Sequence, residues 1–104
     1  MDKIEELAEI FKSLSDPTRL RVVKLLSENK YLCVNALTQR LDVTQSAVSQ
    51  HLRVLRQAGL VEGSRRGSHI HYSINKDLLK QFKTKLLEML GEDFVVLKQG
   101  GSGK

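Results

Sequence analysis

The sequence predicts a mainly α domain with one small β-hairpin, on three observations. Apolar residues recur every three or four positions over residues 3–58 and again over 76–90, and alternate one-for-one only between Leu60 and Ile74. Helix-stop and helix-start residues fall between these runs: Asp16-Pro17, Thr44, Gly59 and Gly91. The chain has 104 residues, enough for one hydrophobic core and too few for two.

Each element follows from its own residues. Ile4, Leu7, Ala8, Phe11 and Leu14 stand at helical spacing with Asp2, Glu5, Glu6, Glu9 and Lys12 between them, so the first helix is placed at 3–14. At Ser15-Asp16-Pro17 the chain restarts. The Asp16 carboxylate can accept from free N–H groups, and Pro17 lacks the N–H that a first helical residue leaves unpaired. The second helix then runs to Glu28, with Leu20, Val23 and Leu26 inward and Val22 and Leu25 flanking. A short third helix fits 34–41 around Leu37 and Leu41, and Asp42-Val43-Thr44 is a three-residue turn. Thr44 caps a fourth helix at 45–58, whose inner stripe is Ala47, Val48, His51, Leu52 and Leu55. Gly59 ends it in the left-handed region, with Leu60 packed back on Leu55. Leu60–Arg65 and His69–Ile74 read as two strands around the turn Arg66-Gly67-Ser68. Ile70, Tyr72 and Ile74 share one face of the second strand, His69, His71 and Ser73 the other. Asn75 caps a last helix, 76–90, ended by Gly91. The domain is expected over 1–91. Residues 92–104 form a C-terminal tail with a small apolar segment at Phe94–Leu97 and an expected disordered, Gly-rich end at Gln99–Lys104.

Composition narrows the function. A single Cys excludes an internal disulfide framework and any site needing several thiolates from one chain. The first residues, MDKIEELAEIF, are acidic and amphipathic, unlike a signal peptide, and no apolar run approaches the roughly 20 residues a membrane helix needs. The expectation is a cytoplasmic protein with no membrane partner. Paired carboxylates in a pocket context, a phosphate loop and a nucleophile beside a base are all missing, so no enzyme and no cofactor are expected. The formal charge of +5 is uneven: residues 1–29 carry −1, residues 30–75 carry +4 and residues 76–104 carry +2. A polyanion-binding surface is therefore sought in the middle third.

That third holds a helix, a three-residue turn, a polar-faced helix, a Gly cap and a basic hairpin: a winged helix–turn–helix in the order α1-α2-α3-α4-β1-β2-α5. In such an arrangement the first helix of the pair braces the second, which lies in the major groove of double-stranded DNA. Gln45, Ser46, Ser49, Gln50 and Arg53 give the second helix an outward face of hydrogen-bonding groups, and no acidic residue occurs between Val43 and Val61. Gln suits adenine edges, Arg suits guanine, and Ser suits bases or phosphate. Arg56 is placed on backbone phosphate, and Arg65 and Arg66 at the hairpin tip on flanking backbone or minor groove. The alternatives are a winged-helix protein-interaction module that does not bind DNA, and a repressor responding to oxidants through Cys33.

The chain resembles the ArsR/SmtB family of winged-helix repressors. The residues that carry the likeness are Leu14-Ser15-Asp16-Pro17-Thr18-Arg19-Leu20, Leu32-Cys33-Val34, Thr44 through Leu52, Leu55 through Val61, the Arg66-Gly67 turn and Tyr72. The resemblance covers about residues 4–90 and implies a homodimer formed by the first and last helices, two reading heads per dimer, and repression relieved by an inducer, which it leaves unassigned; a two-fold pair of reading helices in turn predicts a roughly palindromic operator. Ile4, Leu7, Phe11, Leu79, Phe82, Leu86 and Leu90 are the expected interface. Two departures bear on metals. One family site uses two Cys around a single residue at the start of the third helix, where this chain has Cys33-Val34-Asn35. Another uses Asp, His and Glu on the last helix, which here has Asp77 and Glu88 and no His. No metal is expected at either. His69 and His71 read either as surface imidazoles beside DNA or as a chelating pair, His51 as a packed, hydrogen-bonded residue, and Cys33 as a small buried hydrophobe or a redox-sensing thiol.

Overall fold

The computed structural model describes residues 2–91; the expectations for the tail at 92–104 lie outside the described residues. Five helices and one hairpin follow in the order α1 (Lys3–Leu14), α2 (Pro17–Glu28), α3 (Val34–Leu41), α4 (Gln45–Gln57), β1 (Val61–Arg66), β2 (His69–Ile74) and α5 (Lys76–Leu90).

The helix starts are made by side chains. Asp2 accepts from the Glu5 N–H at 2.8 Å, Asp16 from Arg19 at 3.1 Å, Thr44 from Ala47 at 3.1 Å and Asn75 from Leu78 at 3.1 Å. Each satisfies one of the N–H groups that a first turn leaves unpaired. Pro17 stands at the start of α2. At the far end of α4, Gly59 has φ +82°, its N–H donates to Arg56 O at 2.9 Å, and the Leu60 N–H donates to Leu55 O at 3.0 Å. That pair of bonds is the Schellman closure. It also explains why β1 starts at Val61 and not at Leu60: the Leu60 N–H is already committed to the helix end.

The hairpin pairs Val61 with Ile74 and Arg66 with His69. Arg66 therefore belongs to the strand, and the turn is only Gly67-Ser68. Gly67 supplies φ +62° at its first position, as two-residue hairpin turns require. A further pairing was not anticipated. Leu32 exchanges two backbone hydrogen bonds with Tyr72, both 2.9 Å, on the side of β2 away from β1. This bridge fastens the α2–α3 connection to the hairpin.

One core joins these parts. Val22, Leu37, Val48, Leu52, Leu55 and Leu60 are fully buried, with Ile10, Leu26, Leu32, Val61 and Tyr72 around them. One inward assignment is corrected. Leu20 is 51% exposed, and the inward residue of α2 is Val22, paired with Leu26 one turn on. In α1 the buried face is Leu7, Ile10 and Ser13, while Ile4 is 58% and Phe11 47% exposed. The apolar surface of α1 is wider than the core it covers, and the core takes only one edge of it.

Candidate nucleic-acid interface

The structure brings the expected reading residues to one surface. Gln45, Ser46, Ser49, Gln50 and Arg53 are exposed on α4, whose opposite side buries Val48, Leu52 and Leu55. At about 100° per residue the exposed set fills an arc of roughly 140°, enough to lie along a groove. Thr44 holds the first turn in place, and α3 packs behind through Leu37. The connection needs a left-handed residue at Asp42, φ +54°, whose N–H donates to Thr38 O at 3.1 Å. Asp tolerates this conformation better than most residues because its short polar side chain bonds locally.

Arg56 is exposed at the edge of the arc, with its guanidinium carbon 6.0 Å from the centroid of the Tyr72 ring. That contact couples α4 to β2. Arg65 and Arg66 are exposed at the end of β1 beside the Gly67-Ser68 turn. Their positive charge is thus carried by the hairpin tip, with no ion pair recorded for either among the described residues.

His51 is half-buried and lies off the outer arc. Its Nδ1 lies 3.4 Å from Arg19 Nη1, and its Nε2 lies 3.9 Å from an Asp16 carboxylate oxygen. Arg19 Nε donates to Ser13 O at 2.6 Å. This cluster fastens the inner edge of α4 to the α1–α2 corner, which is the packed, hydrogen-bonded place expected for His51. The Asp16 carboxyl is held below its ordinary value first by the Arg19 N–H bond; desolvation opposes this, and the nearby His51, the Thr18 N–H and the Arg19 charge add to the lowering.

The other singled-out residues separate. His69 is exposed and pairs with Arg66 across the hairpin. His71 is half-buried and stacks on Tyr31, ring centroids 4.1 Å apart and 12° from parallel. Among the described residues no group of three or more His, Cys, Asp or Glu could hold a metal ion. Cys33 is half-buried at the N-cap of α3, where its side chain makes no capping bond. Full burial was one expectation for it, and the structure corrects that to partial exposure.

The expected pairing surface is split as well. Ile4, Phe11 and Leu90 are exposed, Leu79, Phe82 and Leu86 are half-buried, and Leu7, 3% exposed, faces the chain's own interior. No residue of α5 is buried. Phe11 meets Phe82 edge-on at 5.1 Å, and Lys85 donates to Glu6 at 2.7 Å, which holds the Glu6 carboxyl below its ordinary value. These two contacts hold α5 against α1 without covering its outer face. Leu87 and Met89, 42% and 49% exposed, extend that face and were absent from the expected set. Their signal was present as apolar residues flanking the stripe. Among the described residues no helix is long and apolar enough to cross a membrane.

Comparison with known proteins agrees with this geometry. Residues 16–63 match the model of the bacterial regulatory protein, arsR family. An HTH-type transcriptional regulator of Methanocaldococcus jannaschii is 41% identical over 90 residues, 86% of this chain and 100% of that protein. The HTH-type transcriptional repressor SmtB of Mycobacterium tuberculosis is 33% identical over 92 residues, 88% of this chain and 67% of the repressor. The solution structure of a homodimeric winged helix-turn-helix DNA-binding domain from Mycobacterium bovis superposes with a TM-score of 0.69 at 25% identity, covering 88% of this chain and 83% of that one. Helix order, hairpin and sequence agree: the chain belongs to the arsR family of bacterial regulatory proteins, as a winged helix–turn–helix DNA-binding transcriptional regulator.

Proposed function

We propose that the chain represses transcription as a homodimer on a palindromic operator, with α4 of each copy in the major groove and each hairpin on the flanking backbone or minor groove. The observation that carries this reading is the outer face of α4. Its exposed groups are Gln45, Ser46, Ser49, Gln50 and Arg53, it has no carboxylate, and the hairpin that follows α4 carries the exposed Arg65 and Arg66 at its tip. Gln and Arg offer bidentate pairing to adenine and guanine, and the arginines at the tip offer phosphate or narrow-groove contact.

Pairing of two copies is supported by the open α1–α5 layer. Ile4, Phe11, Leu87, Met89 and Leu90 are each more than 40% exposed in the single chain. Burying such residues is worth about 1.5–3 kcal/mol apiece when complete. Two linked reading heads also make the second DNA contact intramolecular, which raises affinity without any new contact. The M. bovis neighbour is described as homodimeric.

The test is selection of bound fragments from genomic DNA, followed by binding measured against salt. The expected result is enrichment of two-fold-related half-sites whose centres lie one or more turns apart, about 34–36 Å per turn. Affinity should fall steeply as salt rises, through counterion release. No enrichment, or binding indifferent to salt, would turn the reading to a winged-helix protein-interaction module.

A further inference from the structure

The outer face of the hairpin carries a second polar site. The Leu32–Tyr72 bridge is antiparallel, so Tyr31 falls opposite Ser73 and diagonal to His71. That register puts the Tyr31 ring on the His71 imidazole, although Tyr31 remains 49% exposed and contributes little to the core. Ser64 is the cross-strand partner of His71, and Arg66 lies two residues further along the same face of β1. With Lys30 these residues enclose a cleft of about 450 Å³, lined by Lys30, Tyr31, Ser64, Arg66, His71 and Ser73.

Its chemistry is one-sided. Lys30 and Arg66 are cations, His71 becomes one when protonated, and the hydroxyls of Tyr31, Ser64 and Ser73 donate hydrogen bonds. The carboxylate on the same strand face, Glu62, pairs with Ser73 but does not line the cleft. None of the side-chain hydrogen bonds or ion pairs among the described residues engages a lining residue. Among the described residues no carboxylate lines the cleft, so the charge its side chains bring is positive. A cleft that carries two cations and three hydroxyls and no carboxylate suits a compact anion with several oxygens.

We propose that this cleft is a phosphate site, with Lys30 and Arg66 supplying charge, Ser64 and Ser73 supplying hydroxyl donors, and the Tyr31–His71 stack fixing its floor. Phosphate reaches it either from the DNA backbone beyond the reading head, to which Arg66 at the wing connects it, or from a free phosphoryl compound. The first source rests on the DNA-binding reading above; the second does not.

Two measurements on the full chain separate these sources. Affinity is measured for a short duplex ending at the selected half-sites and for one extended by a helical turn on each side, with the wild type, Lys30→Ala, and Lys24→Ala as an exposed charge-matched control. Inorganic phosphate is then titrated into the DNA-free protein while the His71 ring and the Ser64 amide are followed by NMR. If the cleft takes backbone phosphate, the wild type gains affinity from the extension, and Lys30→Ala loses that gain and lowers the salt slope by about 0.9 while Lys24→Ala does not. If it takes free phosphate, the two resonances shift saturably with inorganic phosphate and stay still in Lys30→Ala. The proposal is overturned if neither response appears, or if Lys24→Ala reproduces every effect of Lys30→Ala. A wild type that binds no duplex yet shows the saturable shift would sink the operator reading and leave the phosphate site standing.

Discussion

The two halves of the molecule are finished to different degrees. The reading half, α2 through β2, closes on itself: Val22, Leu37, Val48, Leu52, Leu55 and Leu60 have no more than 1% of their surface exposed. The other half, α1 with α5, has one buried edge and one open one. Ile10 joins the core, but no residue of α5 is buried, and Ile4, Phe11, Leu87, Met89 and Leu90 stand in solvent. A helix pair that leaves this much apolar surface uncovered fits one side of the proposed interface, whereas a closed core needs nothing further. On the proposed reading, one chain suffices to build a reading head and a second completes the layer which joins two of them.

Substitutions in the two halves should therefore fail differently. The largest effect belongs to the closed core. Leu52→Ala or Leu55→Ala is expected to cost about 2–5 kcal/mol, measured by urea unfolding, and to abolish DNA binding by loss of the fold. An opposite pattern is expected for Leu90→Glu or Phe11→Glu. The helical signal should survive while sedimentation shows single chains and operator affinity collapses. If these variants unfold like the core variants, the contrast between the halves is wrong.

Next in size are the reading residues. Arg53→Ala is expected to cost about 1–3 kcal/mol of operator binding and to relax base choice at one position of each half-site. Uniform loss across all sequences would assign Arg53 to phosphate instead. Thr44→Ala removes only the cap of α4, costing about 1 kcal/mol of stability, with DNA contacts unchanged once the protein is folded.

The two acid-sensitive contacts lie at the seams between helices. Asp16 and Glu6 have folded pKa values below their ordinary values, through Arg19 and Lys85 respectively. The stability they add is present above the unfolded values and is lost as pH falls through the folded ones. Asp16→Asn and Glu6→Gln should each flatten the acid limb of the stability curve, with the variant and wild-type curves converging at the lowest pH. A curve unchanged by both would remove these contacts from the account. The smallest expected effect is that of Asp42→Gly. Asp42→Gly should leave stability nearly unchanged, whereas Asp42→Val should lower it by about 1–2 kcal/mol, because a β-branched residue tolerates left-handed φ poorly.

The same contrast separates what was legible in the sequence from what was not. Helix ends were legible because Asp16-Pro17, Thr44, Gly59 and Asn75 each act through local chemistry within a few residues. The outward face of α4 was legible because its polar residues share one helical arc. Inward faces were less so. Leu20 and Phe11 are as apolar as the residues buried beside them, and only the tertiary arrangement decides that Val22 and Ile10 go inward. The Leu32–Tyr72 bridge depends on one residue pairing forty positions away and leaves no periodicity. The phosphate cleft rests on that bridge. Its residues come from two strands and a connection, so no spacing along the chain announces it.

The central claim is that one chain makes a reading head and two make the operator-binding unit. Sedimentation equilibrium of the wild-type protein with one selected operator duplex tests it most directly. The account predicts two chains per duplex, with a free protein already paired at micromolar concentration. One chain per duplex, bound as tightly as a full operator, would contradict it.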